Sequence, residues 1–343
     1  MTESAPDAAE HLLDSKRFEA PARPGLIPGG LLIIGVLLTF LVARHFEDAR
    51  GASDQARFDR AAQHVRTAIT DRLTTYTSLL RGGAGLFAAF PGVDEAAFRA
   101  YVERLDLAHY YPGIQGIGFA RRQGNRDAYP IAMLEPHDRR NLHALGYDMF
   151  TERVRREAMI HARDTGAAAA SGAVTLVQEI DAHKQPGFLI YVPVYAGGVT
   201  PATVEERQDR IIGFVYSPFR SHDLFAAILH RETAPEIGFE VYDGEHANSR
   251  RLLHRTNEPE ARAAAFNREE LITVADRPWL LRLHSTPAFE ATLGRNIPAL
   301  IAITGTLFSL VLFVITFALE HSQRRVAAAR SRCASPSPAS AMA

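Results

Sequence analysis

Two long uncharged stretches constrain this chain more than any other feature of it. From Pro24 to Ala43 no residue is charged, and Leu31, Leu32, Ile33, Ile34, Val36, Leu37 and Leu38 dominate the run. A second stretch, Ile297 to Leu319, is again uncharged and rich in Leu, Ile, Val and Phe. Each matches the roughly 20 residues needed to cross about 30 Å of hydrocarbon at about 1.5 Å per residue. Core helices of soluble proteins are seldom so uniformly apolar. A cleaved leader does not fit the first run, which begins only after Arg23, lacks a small-residue cleavage site and ends directly at Arg44. Segments 24–43 and 297–319 are therefore read as transmembrane helices.

Arg324, Arg325, Arg330 and Arg332 follow the second span with no acidic residue after Glu320, the positive-inside signature of a cytoplasmic end. Two spans put both termini on one side. Residues 1–23 and 320–343 are thus expected as cytoplasmic tails of an inner (plasma) membrane protein. The last of them is expected to be disordered around Ser335-Pro336-Ser337-Pro338. Everything between Arg44 and Asn296 is expected to be extracytoplasmic, which long loops tolerate whatever their charge. The 38 Lys and Arg balance 39 Asp and Glu, so no net field recruits nucleic acid. The single cysteine, Cys333, leaves the body without an intrachain disulfide or a cysteine-based metal site or nucleophile.

No proline interrupts the chain from Ala43 to Phe90, so the first span is expected to continue outward as a stalk helix over 44–90 that Pro91 and Gly92 stop. Along it Phe58, Ala62, Val65, Ile69, Leu73, Tyr76, Leu80, Gly83 and Phe87 recur at steps of four and three, a helical stripe. Such a stripe either packs on its own domain or pairs with a second copy as the seam of a homodimer. Asp94 then caps an amphipathic helix with Phe98, Tyr101, Val102 and Leu105 on one face.

Short runs of β-formers follow at 114–120, 128–133, 174–178, 188–194 and 211–216, with helices expected over 152–163, ended by Gly166, and over 221–230. Strands at 239–242, 252–254, 271–274 and 279–283, a turn at Asp243 and Gly244 and a helix over 258–266 complete a smaller unit. Strands and helices mix without strict βαβ alternation, which favours antiparallel sheets flanked by helices. The expected fold class is α+β: a long stalk helix with two antiparallel-sheet units, 91–232 distal and 233–295 proximal to the membrane, flanked by two transmembrane helices.

The residues offer no anchor for catalysis, a metal or a cofactor, and an enzyme is not expected. Gly113, Gly116 and Gly118 lack the spacing of a dinucleotide fingerprint and lead into a strand rather than a helix. His137, Asp138 and His143 lie in a polar loop without an i, i+4 histidine pair or a cysteine set. There is no Gly-x-Ser-x-Gly elbow.

Four blocks carry a different signal. Tyr111-Pro112-Gly113-Ile114-Gln115-Gly116-Ile117-Gly118-Phe119-Ala120, Gly146-Tyr147-Asp148-Met149-Phe150, Gly187-Phe188-Leu189-Ile190-Tyr191-Val192-Pro193-Val194-Tyr195 and Gly213-Phe214-Val215-Tyr216-Ser217-Pro218-Phe219-Arg220, in that order, resemble the CHASE sensory domain over residues 46–295. The resemblance implies two PAS-like units, the outer one holding the ligand. Plant members are cytokinin receptors in which an aspartate of the second block hydrogen-bonds the adenine ring, so the resemblance makes Asp148 the first ligand-binding candidate. It implies Thr165, Leu176, Tyr191 and Phe214 as further pocket residues. Read from the residues alone, those four are equally core positions, and Asp148 is equally a helix cap before Glu152.

Where the plant receptors carry Tyr-Leu-Gly-Gly, this chain has Ile211-Ile212-Gly213-Phe214, which speaks against cytokinin and leaves a small amphipathic ligand. CHASE domains normally feed a kinase or cyclase after the second span, but here only Glu320 to Ala343 follow it. The expectation is a small-molecule sensor without its own output domain that signals through a separate kinase or cyclase. The rival expectation is a non-catalytic protein-binding or scaffold membrane protein.

Overall fold

The computed structural model describes residues 25–90, 92–124, 127–180, 184–230, 237–256, 264–293 and 297–333. In chain order its elements are α1 (Leu26–Ala89), α2 (Glu95–Leu105), α3 (Leu107–Tyr110), β1 (Ile117–Arg121), β2 (Ile131–Glu135), α4 (Arg139–Ala144), α5 (Arg153–Thr165), β3 (Ala169–Ala170), β4 (Gly187–Tyr195), α6 (Val204–Arg210), β5 (Ile211–Arg220), α7 (Ser221–His230), β6 (Ile237–Asp243), β7 (Leu252–Arg255), β8 (Asn267–Val274), β9 (Arg277–Ser285), α8 (Pro287–Ala291) and α9 (Ile297–Cys333). They fall into two compact units, Met1–Ser53 with Gly294–Ala343, and Asp54–Leu293. The fold class is α+β, as the sequence implies.

The first unit holds the start of α1 and all of α9, two helices long and apolar enough to cross a bilayer. They meet through small residues. A Cβ on Gly35 would lie 2.6 Å from the Ser309 hydroxyl, and one on Gly305 would run into Thr39. Close backbone approach of this kind replaces the hydrophobic drive that is missing between helices in lipid. Thr39 and Ser309 direct their hydroxyls to the carbonyls of Gly35 and Gly305 one turn back, at 2.8 and 2.9 Å, so neither leaves a bare donor.

The second unit is built on the remainder of α1. The stripe read from the sequence is its buried face: Phe58, Ala62, Ile69, Tyr76 and Leu80 are fully buried, and Val65, Leu73 and Phe87 nearly so. Phe58 stacks on Phe266 at 5.6 Å, Tyr76 on Phe219 at 5.7 Å and Phe87 on Phe119 at 4.0 Å. The stripe therefore packs on its own domain, and its apolar side chains are not free to form a seam with a second copy.

Five strands form an antiparallel sheet in the order β2-β1-β5-β4-β3, and four more a second one in the order β7-β6-β9-β8. One face of the first sheet, including Ile117, Phe119, Phe188, Ile190, Val192, Val194, Val215 and Phe219, shares a continuous apolar core with α1 and with Trp279 and Leu281 of the second sheet. Phe188 meets Trp279 edge-on at 4.8 Å. Period-2 alternation sends the other residues of the same strands to the opposite face.

Helix ends follow their capping residues. Asp94 accepts from the Ala97 amide at 2.8 Å at the start of α2. Gly166, at φ +74°, closes α5 in the left-handed conformation that a glycine adopts without strain. Thr203 and Glu206 form a reciprocal capping box on α6, a helix the sequence reading passed over.

Two expectations change. Residues 174–178 are not a strand: Val174 exchanges both backbone hydrogen bonds with Gly187, at 2.8 and 2.9 Å, and the chain then turns away. Gly187 is where β4 begins, so beyond that point there is no strand to pair with. The helix expected over 258–266 lies mostly outside the described residues, and residues 264–266 are not helical.

Candidate ligand-binding site

The face of the first sheet turned away from α1 is covered by α5 and the turn before it. Alternation along β4 places Leu189, Tyr191 and Tyr195 there, and along β5 Ile211, Phe214 and Tyr216. Helix α5 contributes Ala158, Met159 and Ala162 to the same cluster, and the preceding turn contributes Met149. Tyr191 and Tyr216 are register partners on neighbouring strands with ring centroids 6.1 Å apart. Tyr216 lies across Gly118 of β1, where a Cβ would come within 2.6 Å of its ring and hydroxyl. Only glycine admits the ring at that position.

This layer is apolar in its rings and polar at their tips. Tyr191 and Tyr216 are fully buried, yet neither hydroxyl has a hydrogen-bond partner. Burial pushes both phenols well above their ordinary pKa, opposed only in part by the charge of Arg155, so both remain protonated donors. Tyr195, on the same face, differs in that its hydroxyl donates to the Arg163 carbonyl at 2.6 Å. Arg155, only 4% exposed, donates from Nη1 to the Tyr147 hydroxyl at 3.1 Å and from Nη2 to the Thr175 carbonyl at 2.9 Å. Tyr129 closes the cluster against Phe150 and Phe214, with centroids 5.0 and 5.1 Å away.

Of the residues singled out from the sequence, Leu176, Tyr191 and Phe214 are buried together in this cluster. Asp148 stands half-buried at its edge. Its Oδ1 accepts from the amides of Tyr129 at 2.8 Å and Phe150 at 3.0 Å, capping the single turn Met149–Thr151 and pinning the strand approach at Tyr129. The cap of α5 itself is Glu152, whose two carboxylate oxygens accept from Val154 and Arg155 at 2.9 Å each. Thr165 sits elsewhere, exposed at the far end of α5, where its hydroxyl donates to the His161 carbonyl at 2.7 Å.

The sequence reading missed Arg155, Tyr216, Tyr147 and Tyr129. A signal for Arg155 exists: residues 155, 158, 159, 162 and 163 are the buried positions of α5, steps of three, one, three and one that mark a single helical face. Tyr216 is two residues from Phe214 and so faces the same way along β5.

The polar loop near His137 has a structural role. Asp138 caps α4 through the Asn141 amide at 2.8 Å. Glu95, Glu135 and His137 bring ligand-type atoms within 4.8 Å of one another, but the Arg99 guanidinium lies among them. It donates to Glu135 at 2.8 Å and to Glu95 at 2.9 Å and contacts His137 Nδ1 at 2.9 Å, filling the position of a cation.

Comparison with known proteins agrees with the four blocks. The CHASE domain model matches residues 91–128 and 121–254. A relative, the hybrid signal transduction histidine kinase A of Dictyostelium discoideum, is 26% identical over 258 aligned residues, covering 62% of this chain and 12% of that much longer protein. Among solved structures, the periplasmic sensory domain of the Campylobacter jejuni chemoreceptor Tlp1 is 9% identical with a TM-score of 0.45, covering 71% of this chain and 98% of that domain. A structure described as methyl-accepting chemotaxis protein X is 13% identical with a TM-score of 0.42, covering 68% of this chain and 99% of its own. Residues 91 to 254, the stretch the two matches span together, are thus similar to a CHASE domain.

Proposed function

We propose that the chain is a two-pass membrane sensor that binds a small molecule in the layer between the distal sheet and α5 and relays occupancy to a separate signalling partner. The observation that carries this reading is the pair of fully buried, unpartnered hydroxyls of Tyr191 and Tyr216 beside Arg155. Leaving a buried donor unmet costs about 1–3 kcal/mol, so two on one face are a liability to folding and an asset to recognition. Residues 91–232 serve as the membrane-distal, ligand-holding unit and 233–295 as the membrane-proximal one. Asp148 supports the site by fixing Tyr129 and Phe150, and its second oxygen is available to a ligand at the rim.

A route out of the site is built into the second unit. Helix α5 reaches the tip of the β8–β9 hairpin through His161 Nε2, 2.6 Å from Asp276 Oδ2. The Ala170 amide donates to the Ala275 carbonyl at 2.9 Å, and the Asp243 carboxylate holds both the Ala173 amide, at 3.1 Å, and the Arg277 guanidinium. Strand β9 is followed along the chain by α8. A ligand moves such a system only by its difference in affinity for two arrangements, so the partner, a kinase or cyclase on another chain, would read a shift between α1 and α9.

Thermal unfolding of the full chain in lipid nanodiscs against a metabolite library tests the reading. A ligand present at 100 times its Kd adds about 2.7 kcal/mol and raises the melting temperature by several degrees. Phe214→Ala, which removes a wall of the site, is expected to abolish that rise. A library with no stabilising compound, or a rise untouched by the substitution, would contradict it.

A further inference from the structure

The charge left uncompensated in the distal layer identifies the chemical class of what it binds. Among the described residues two arginines are buried, Arg155 and Arg163. Arg163 has a carboxylate partner, Asp164 at 2.7 Å. Among part-buried guanidinium groups, Arg220 lies 2.5 Å from Glu179 and 2.6 Å from Asp223 and Arg277 is paired with Asp243, while Arg122, Arg156 and Arg207 bond backbone carbonyls. Arg155, the more deeply buried of the two, differs from Arg163. Its two hydrogen-bond partners, the Tyr147 hydroxyl and the Thr175 carbonyl, are both neutral, and no carboxylate among the described residues comes within ion-pair distance. Those two bonds fix the guanidinium in place and leave other N–H groups of its fork of five without an acceptor.

We infer that the ligand of the distal layer is a small organic carboxylate, with Arg155 binding its charge and the hydroxyls of Tyr191 and Tyr216 as further donors to it. This rests on the sensor reading above and sharpens it. A buried cation is tolerated when it is paired, and of the two buried arginines the chain supplies a carboxylate for Arg163 but not for Arg155. One planar fork matches one carboxylate in bidentate fashion, whereas a doubly charged phosphate calls for more cationic donors than Arg155 alone. The neighbouring donors suit an acceptor-only ligand group: both phenols present O–H, and neither has anything to give it to. Beyond the charge, Phe150, Phe214, Leu176 and Leu189 offer an apolar wall, so the favoured acid carries a hydrocarbon or ring body.

The test is a melting-temperature panel on the full chain in nanodiscs with two to six-carbon mono- and dicarboxylates, aromatic acids and the standard amino acids. Each is paired with its primary amide, and adenine derivatives represent neutral heterocycles. At least one acid is expected to stabilise wild type by several degrees while its amide does not. In Arg155→Met the affinity for that acid should fall roughly 30-fold or more, while Arg155→Lys, which keeps the charge but loses the fork, should retain part of it. Without ligand both variants should melt within a few degrees of wild type, which separates loss of binding from loss of fold. Stabilisation by neutral compounds alone, or an acid response unchanged in Arg155→Met, would overturn the assignment while leaving a small-molecule sensor. Silence across acids, amides and heterocycles would overturn both.

Discussion

The two faces of the five-stranded sheet are made from the same strands and do opposite things. Toward α1, Phe188, Ile190, Val192, Val194, Val215 and Phe219 present only hydrocarbon to an apolar helix face. Toward α5, the residues that alternate with them include Tyr191, Tyr195, Phe214 and Tyr216, and the helix that covers them brings a buried arginine. The first face is fully served by contacts within the chain. The second holds the hydroxyls of Tyr129, Tyr191 and Tyr216 without a hydrogen-bond partner, and a cation whose two partners are neutral. A polar group costs stability when it is buried without a partner, so a sheet that leaves three hydroxyls in that state toward α5, while the named strand residues toward α1 carry no polar side chain, has divided support from recognition.

The largest effect should come from breaking the supporting face. Phe219 stacks on Tyr76 and on Phe188, and Phe219→Ala is expected to cost about 3–5 kcal/mol in denaturant unfolding. A loss under about 1 kcal/mol would mean that α1 is not held there.

A buried polar group outside both faces provides a control. His254 lies between Phe225 and Phe239 with neither ring nitrogen hydrogen-bonded, and burial, with the nearby His222 charge, lowers its pKa to about 4. The unfolded chain takes up that proton near pH 6.5 and the folded one only near 4. Stability is therefore complete above about 6.5 and declines as the pH falls toward 4, by on the order of 3 kcal/mol. His254→Leu should flatten that slope without touching any ligand response, and an unchanged slope would assign it to other groups.

Smaller effects sharpen the contrast at the recognition face itself. Asp148→Ala removes a cap and the tie to Tyr129 and should cost about 1 kcal/mol. Tyr195→Phe discards a satisfied hydrogen bond and should cost about 1 kcal/mol as well. Tyr191→Phe and Tyr216→Phe discard unsatisfied ones and should be neutral or slightly stabilising. If all three tyrosine substitutions destabilise alike, the distinction between them is lost.

Much of this architecture was legible in the sequence because it rests on periodicity. The long helix, its stripe and the strands at 188–194 and 211–216 all follow from apolar spacing. Strand β3 did not show, since Ala169 and Ala170 have little β preference and pair only because β4 lies beside them. Val174 to Gln178 misled for the reverse reason, being β-forming residues at a place where the partner strand ends. At the site, apolar members such as Tyr191 and Phe214 were named, but Arg155 was not. In the run Arg153-Val154-Arg155-Arg156 three arginines look alike, and only the phase of the helix, set by Ala158, Met159 and Ala162, turns one of them inward. Asp148 was named through the resemblance of its block to the CHASE family, while its backbone contacts to Tyr129 and Phe150 depend on how the turn folds.

The most direct test is hydrogen exchange of the full chain in nanodiscs, with and without a compound that raises its melting temperature. Added protection concentrated in α5, β4 and β5, with α1 unchanged, is the predicted result. Protection confined to another surface, such as the α2–β2 edge around Arg99 and His137, would contradict the placement of the binding layer.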